Sequence, residues 1–318
     1  MRLTVAICTW NRADLLKRTL EQMTCLRVPA DAAWEVLVVN NNCTDATDDV
    51  VRSFSRRLPV RQVFEAAPGL SIARNTAVRV ATGDYILWTD DDVLVDSEWL
   101  RAYYDAFLQW PDAAMFGGPI EPLFAAQPPE WLLRTLDRFG PALSVLDLGP
   151  EPMPLARWEK PFGANVAFRA DALAKFPFDP SLGVSSLRGM SSLAGEESAV
   201  MNAMLAAGLE GWWVPRARVK HYIAPERMTT AYLRRKSINW GKYVSRARLA
   251  EDAPRRPTRR HLLRRALQAE LRYRFHLVFS EPEIWARQLS ESGQCWGEFV
   301  GTVAQWRECP SASLKSAR

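Results

Sequence analysis

Three carboxylates stand side by side at Asp90-Asp91-Asp92, one residue beyond the apolar run Tyr85-Ile86-Leu87-Trp88. Adjacent carboxylates repel one another, and such a cluster at the end of a buried strand is relieved most naturally by a divalent cation; a solvated acidic loop is the alternative. In an extended segment Asp90 and Asp92 project to the same side, so both can address one metal ion and a diphosphate that the ion carries. A second acidic pair, Glu196-Glu197, follows Gly195 and opens an amphipathic run through Ala199, Val200, Met201, Met204 and Leu205 to Gly208. A carboxylate there can take a proton from a hydroxyl, although acidic residues in a first helical turn are also what the helix dipole favours. His221, one of three histidines, ends a strand-like run, and a neutral imidazole can bind a metal or a phosphate.

The elements that must hold these groups alternate short β-type runs with helix-type runs, the pattern of βαβ units and a mainly parallel sheet. Strands are predicted at 2–8, 35–40, 58–64 and 84–89. Helices are predicted at 13–24, from about 45 with Thr44 as cap, and at 71–81 with Ser71 as cap and Gly83 beyond its end. All-apolar inner strands such as Val36-Leu37-Val38-Val39 suit a sheet covered on both faces. In such sheets ligands bind outside the carboxyl ends of the strands, and those ends are polar here. Thr9, Trp10, Asn11 and Arg12 follow the first strand, and Asn40, Asn41, Asn42, Cys43, Thr44 and Asp45 follow the second. Taken alone, the Asn-rich stretch is also ordinary turn chemistry.

Thr9-Trp10-Asn11-Arg12, the stretch from Val39 to Asp45, Gly69-Leu70-Ser71-Ile72-Ala73-Arg74-Asn75 and Asp90-Asp91-Asp92-Val93 resemble, in order and spacing, the family 2 glycosyltransferases. The resemblance runs to about Arg235 and takes in Phe162-Gly163-Ala164-Asn165, Gly195-Glu196-Glu197 and Val214-Pro215 to His221. It implies an α/β GT-A fold, a nucleotide-diphospho-sugar donor, Mg²⁺ or Mn²⁺, and transfer with inversion at the anomeric carbon. By resemblance, Thr9, Asn11, Arg12, Asn40 and Asp45 surround the nucleotide, and Arg74 faces the nucleotide or its phosphates. Asp90 touches the ribose or the metal, Asp91 supports the turn on the donor side, and Asp92 ligates the metal with His221 close by. Glu197 takes the place of the general base, Glu196 that of an acceptor or structural contact, and the family's usual Glu-Asp pair appears here as Glu-Glu. Gly163 and Asn165 match the acceptor-side turn, with Trp158 near it. Cys8 stands where the family commonly has Pro, and Asn40 where it commonly has Asp; a UDP-sugar is the expected donor.

The 318 residues, 48% hydrophobic and 24% charged, exclude a chain dominated by disorder and suffice for a large core. Five cysteines without a Cys-x-x-Cys pair argue against a disulfide framework or a structural zinc site. No run approaches the about 20 apolar residues of a membrane-spanning helix, and no basic-then-apolar leader opens the chain, so a cytoplasmic protein is expected.

Charge is segregated: 18 Lys/Arg against 4 Asp/Glu lie between Arg216 and Arg274. The organisation expected is a catalytic domain at 1–228 and a basic, mainly helical region at 229–318, with helices at 229–248 and 257–279 and a last stretch at 282–306 interrupted near Gly293. In the middle helix Leu263, Leu267, Leu271, Phe275 and Val278 form an apolar stripe flanked by arginines. Such a stripe packs on the catalytic domain or lies on an anionic bilayer, and reversible contact with the inner face of the membrane is the expectation drawn from it. The acceptor expected is a polysaccharide, glycolipid or lipid-linked glycan. No nucleic acid is expected, since no module for it is recognisable. The competing class is a sugar-nucleotide-binding scaffold, which has no need of a base at Glu197.

Overall fold

A computed structural model describes residues 1–156, 160–183, 195–250 and 257–308, without the side chains of 246–250 and 305–308. In chain order the elements are β1 (Arg2–Thr9), α1 (Ala13–Met23), β2 (Ala33–Asn40), α2 (Thr47–Phe54), β3 (Val60–Phe64), α3 (Leu70–Val80), β4 (Tyr85–Asp90), β5 (Val93–Val95), α4 (Trp99–Gln109), β6 (Met115–Gly117) and β7 (Ile120–Phe124). They continue with α5 (Glu130–Leu133), α6 (Leu136–Phe139), β8 (Met153–Pro154), β9 (Val166–Arg169), α7 (Ala170–Leu173), α8 (Glu196–Ala206), β10 (Gly211–Trp213) and β11 (Val219–Ile223), and end with α9 (Thr230–Ala250), α10 (Arg259–Phe279) and α11 (Pro282–Glu308).

The chain divides into two compact units. The first takes Met1–Leu123 and Ser144–Tyr222, and the second takes Phe124–Leu143 and the chain from Ile223 onward. No sequence signal assigns 124–143 to the second unit, because its short helices α5 and α6 carry no distinctive motif.

The first unit is a mixed α/β structure whose main sheet runs β3-β2-β1-β4-β9-β6-β10-β8, with β5-β11-β7 beside it as a small second sheet. The strands β3, β2, β1 and β4 are parallel, so their carboxyl ends share one edge. Alternate residues of these strands enter two different cores. Leu3, Val5, Ile7, Val36 and Val38 pack with α1, α2 and α4, while Ala6, Leu37, Val39, Ile86 and Trp88 pack with α3 and α8. That alternation explains the unbroken apolar runs: both faces of the sheet are covered.

Two predicted caps are replaced. The helix α2 starts at Thr47 rather than after Thr44, because Asp45 accepts from the Thr47 amide at 3.2 Å and holds that turn open. Ser71 lies inside α3, and its hydroxyl donates to the Leu182 carbonyl at 2.8 Å; Gly69 occupies the cap at φ 144°, a conformation an L side chain resists.

In the second unit α11 runs through Gly293 without the expected break. Its glycines serve close packing instead. A Cβ on Gly297 would meet the Ile238 carbonyl oxygen at 2.1 Å, and one on Gly241 of α9 would meet the Gln294 carbonyl oxygen at 2.2 Å. Glu270 of α10 ties the three helices together, accepting from Arg234 of α9 at 2.7 Å and from Ser292 of α11 at 2.7 Å. The side of α10 that packs is Leu262, Ala266, Ala269 and Tyr273, so the predicted apolar stripe faces away from its neighbours and is exposed.

Candidate active site

Register brings the polar strand ends together. Thr9 pairs with Asn40 across β1 and β2, and Cys8 pairs with Asp90 across β1 and β4. Beyond Asp90 the chain turns into β5, and the three aspartates diverge. Asp91 accepts from the Thr9 hydroxyl at 2.7 Å and from Arg12 Nη1 at 2.7 Å; the same nitrogen reaches Asp92 Oδ2 at 3.1 Å. The other oxygen of Asp92 lies 3.4 Å from His221 Nε2. His221 is placed by β11, whose register sets it opposite Val93, and the Tyr222 amide fixes the turn by donating to the Asp92 carbonyl at 2.9 Å.

Asp90, Asp92 and His221 each offer a ligand atom, and these atoms lie within 4.8 Å of one another. Burial and the neighbouring Asp92 raise the Asp90 carboxyl above its ordinary range. Burial also pushes Asp91 up to about 6, even with Arg12 beside it. One guanidinium therefore does not balance the cluster, and two carboxylates with an imidazole form a donor set that suits a divalent cation.

The second acidic pair sits at the start of α8, which Gly195 opens at φ 112°. Arg74 of α3 reaches across: its Nη1 lies 3.1 Å from Glu196 Oε1 and 3.4 Å from Glu197 Oε2. Only 4% of the Arg74 side chain is exposed, and its guanidinium lies over the Trp88 and Phe178 rings. The Gly163 amide donates to Glu197 Oε1 at 3.2 Å. Burial works against the charge of Glu197, but Arg74 and these amide contacts outweigh it and lower its pKa. Glu196, buried beside that charge, is pushed up to about 8. One glutamate is thus kept as an anion and the other favours its protonated form, a division typical of acid–base chemistry. Gly163 is required by space, since a Cβ there would stand 2.1 Å from Arg74 Nη2.

Several residues expected to contact substrate are engaged otherwise. The Arg74 cation is paired with the two glutamates. Asn40, 2% exposed, donates to Asp48 at 2.6 Å and accepts from the Cys43 amide at 2.7 Å, so it shapes the turn after β2. Asp45 accepts from the Ala13 amide at 2.9 Å and caps α1 from outside. Asn11 adopts φ 52° and accepts from the Thr44 amide at 2.7 Å.

Asn165 is fully buried: its side-chain Oδ1 accepts from Trp99 Nε1 and the Tyr103 hydroxyl, and its Nδ2 donates to the carbonyls of Pro119 and Ala217. With all these partners its side chain braces the fold rather than an acceptor. Trp158 lies outside the described residues. Asn41, read from the sequence only as one of the polar strand-end residues, donates to the carbonyls of Glu65 and Ala67 and accepts from the Gly69 amide, so it positions the start of α3 and hence Arg74. Its only signal is its place at a strand end.

Residues 4–123 match the family model described as Glycosyl transferase family 2. Over those residues the chain is similar to that family. Among curated relatives, it is 26% identical over 262 residues to the succinoglycan biosynthesis protein ExoM of Rhizobium meliloti, covering 80% of this chain and 77% of that protein. It is 31% identical over 152 residues to the validoxylamine A glucosyltransferase of Streptomyces hygroscopicus subsp. jinggangensis, covering 47% of this chain and 36% of that one. Among solved structures, the mannosyltransferase PcManGT of Pyrobaculum calidifontis, in complex with GDP-Man and Mn²⁺, aligns over 99% of this chain and 78% of that one at 19% identity, with a TM-score of 0.55. Residues 1–349 of S. aureus TarS align over 96% and 92% at 13% identity, with a TM-score of 0.52. The solved structures establish the GT-A fold with C-terminal helices, and the domain match together with relatives named as glycosyltransferases identifies the catalytic class as glycosyltransferase.

Proposed function

We propose that this protein is a metal-dependent inverting glycosyltransferase that moves a sugar from a nucleotide-diphosphate donor to a hydroxyl of a surface polysaccharide, glycolipid or lipid-linked glycan. The observation that carries this reading is the presence, in one compact unit, of the Asp90-Asp92-His221 cluster and of a buried glutamate kept ionised, with Arg74 and Glu197 near enough for their charges to act on Asp90. Asp92, Asp90 and His221 would hold Mn²⁺ or Mg²⁺. Such a cation supplies electrostatic and Lewis-acid stabilisation of the negative charge that grows on the departing nucleoside diphosphate.

Glu197 acts as the base. As the acceptor oxygen attacks the anomeric carbon from the face opposite the leaving diphosphate, its proton passes to a Glu197 carboxylate oxygen, and the C–O bond to the donor phosphate breaks with inversion. Arg74 and the Gly163 amide fix that carboxylate and keep it unprotonated. Arg12, bound to Asp91 and Asp92, holds the aspartate turn, and Thr9 secures it from β1.

A UDP-sugar is the first donor to test, with GDP-sugars beside it, because structural neighbours bind UDP-GlcNAc in one case and GDP-Man in another. The acceptor class is supported by relatives named for succinoglycan biosynthesis and for glucuronosyl transfer to glucosyl-dolichyl phosphate. No helix among the described residues is long and apolar enough to cross a membrane. Peripheral contact at the inner face is our reading of where the enzyme works, on the strength of the basic helices after 228. In this scheme residues 1–228 carry catalysis, and the basic helices from 229 onward are an accessory region.

The test is a donor screen. Purified protein with Mn²⁺ or Mg²⁺ and a panel of UDP-, GDP- and dTDP-sugars is assayed for nucleoside-diphosphate release beside Asp92→Ala. Metal-dependent release from one donor, lost in the variant, is the expected result. Absence of both release and calorimetric binding for every donor would turn the reading to a non-catalytic scaffold.

A further inference from the structure

We propose that the outward face of α10 is a docking surface for an anionic lipid bilayer. The helix has two apolar sides. Leu262, Ala266, Ala269 and Tyr273 pack inside the second unit, where Ala266 and Ala269 meet Cys295 of α11. On the opposite side Leu263, Leu267, Leu271, Phe275 and Val278 recur at steps of three and four residues, which sets them in one line along the helix, and they are between 37% and 72% exposed. Exposed Phe279 and Ile284 extend the patch at its carboxyl end. Single exposed leucines are ordinary; a continuous row of large apolar side chains on one helix face marks an interaction surface.

Charge selects the occupant. Arg260 and Arg264 fall on the same side as the stripe and are exposed, and no carboxylate among the described residues pairs with either. Other arginines are neutralised: Arg265 pairs with Glu298 and Arg272 with Glu291, while Arg274, on the stripe side, pairs with Glu270. Glu270 is the only carboxylate of α10, and Arg234, Arg274 and Ser292 already engage it. The outward face therefore combines unneutralised positive charge with aliphatic and aromatic side chains and carries no negative charge. A helix of 21 residues, about 30 Å long, offers this as a straight row suited to lying flat in a headgroup layer, with its apolar residues below and its arginines against lipid phosphates. This rests on the peripheral location proposed above and names the face that makes the contact, while it does not depend on the transfer chemistry.

Flotation of the full chain with vesicles tests the proposal. Vesicles of phosphatidylcholine with phosphatidylglycerol are compared with pure phosphatidylcholine, at about 0.1 M and about 1 M salt, conditions that change the screening length from about 10 to about 3 Å. Wild type is expected to float with the anionic vesicles at low salt and to be released at high salt. Arg260→Gln with Arg264→Gln is expected to weaken partitioning about fivefold for each arginine removed. Leu267→Asn with Leu271→Asn and Phe275→Ser is expected to abolish it, with circular dichroism and melting unchanged and donor turnover in solution intact.

Absence of flotation at low salt overturns the proposal, as does equal flotation of the apolar variant. So does a change from dimer to monomer in that variant, by sedimentation velocity, without wild-type lipid binding; the face would then be a contact between copies of the chain. Because donor turnover is read separately, failure of docking and failure of the transfer reading are distinguishable.

Discussion

Arg74 and Glu197, separated by 123 residues in sequence, meet in a buried contact in which Nη1 lies 3.4 Å from Oε2, and Glu196 takes the same nitrogen at 3.1 Å. One cation shared by two adjacent glutamates cannot hold both fully ionised in a buried site, so their proton affinities separate. Glu197 gains the Gly163 amide as well and remains the anion. Glu197→Gln should therefore lower kcat by about 10²- to 10⁴-fold while leaving donor affinity nearly unchanged. Glu196→Gln, which replaces a group that already favours its neutral form, should cost far less. Steady-state kinetics with calorimetric donor binding on both variants checks the assignment, and equal losses would refute it.

Arg74→Lys should retain a positive charge but lose the geometry that lets one side chain address both carboxylates. Weaker pairing lets the Glu197 pKa rise, so the acid limb of the kcat profile, where the base becomes protonated, should move to higher pH by about one unit. Donor KM should change little, because Arg74 bonds to the glutamates. A variant that raises donor KM with an unmoved pH profile would return Arg74 to the phosphates.

Gly163→Ala probes the same contact from outside. The added Cβ falls 2.1 Å from Arg74 Nη2, and the soft response is for the guanidinium to swing away from the glutamates. The acid limb of the kcat profile should move to higher pH as in Arg74→Lys, with a lowered melting temperature because a buried cation leaves its partners. Unfolding would mean instead that the backbone, not the arginine, gave way.

The parallel strands, their order of helices and the polar strand ends were legible in the sequence because apolar runs between turn residues encode a covered sheet directly. Asp90 and Asp92 were legible as a candidate metal pair because alternate residues of an extended segment share a side, whereas the turning of Asp91 to Thr9 and Arg12 was not. Nor were the partners of other single polar side chains. Arg74 sits on α3 and its glutamates on α8, and nothing local to either helix specifies the pairing. Asn165 stands in a turn that suggests ligand contact, and only the packing of α4 and the two carbonyls facing it reveals a structural role. The α11 glycines misled in the opposite direction, since a residue that breaks an isolated helix is also one that lets two helix backbones approach.

Asn165→Ala should accordingly act on stability. Removing its side chain strands the Trp99 Nε1 and Tyr103 hydroxyl donors and the carbonyls of Pro119 and Ala217 in a buried setting, at a cost of about 2–4 kcal/mol in unfolding free energy. Acceptor KM, measured on the folded fraction, should stay near wild type. A stable variant with a raised acceptor KM would restore the residue to the acceptor site.

Glu270 gives the second unit a pH signature of its own. Burial opposes its charge, but bonds from Arg234, Ser292 and Arg274 prevail and lower its pKa from the ordinary 4.5 to about 2. A carboxylate with a depressed pKa binds fewer protons folded than unfolded, so its stabilisation is complete above about pH 4.5 and is lost as pH falls toward 2. Glu270→Gln removes the charge at every pH, leaves Arg234 without its anion, and should cost about 2 kcal/mol near neutrality. Between pH 4.5 and 2 the gap between wild type and variant should close, because the wild-type carboxylate becomes protonated there. Urea denaturation at a series of pH values, followed through the helical signal at 222 nm, measures both curves. Curves that stay parallel down to about pH 2 would mean that the charge of Glu270 does not couple α9, α10 and α11.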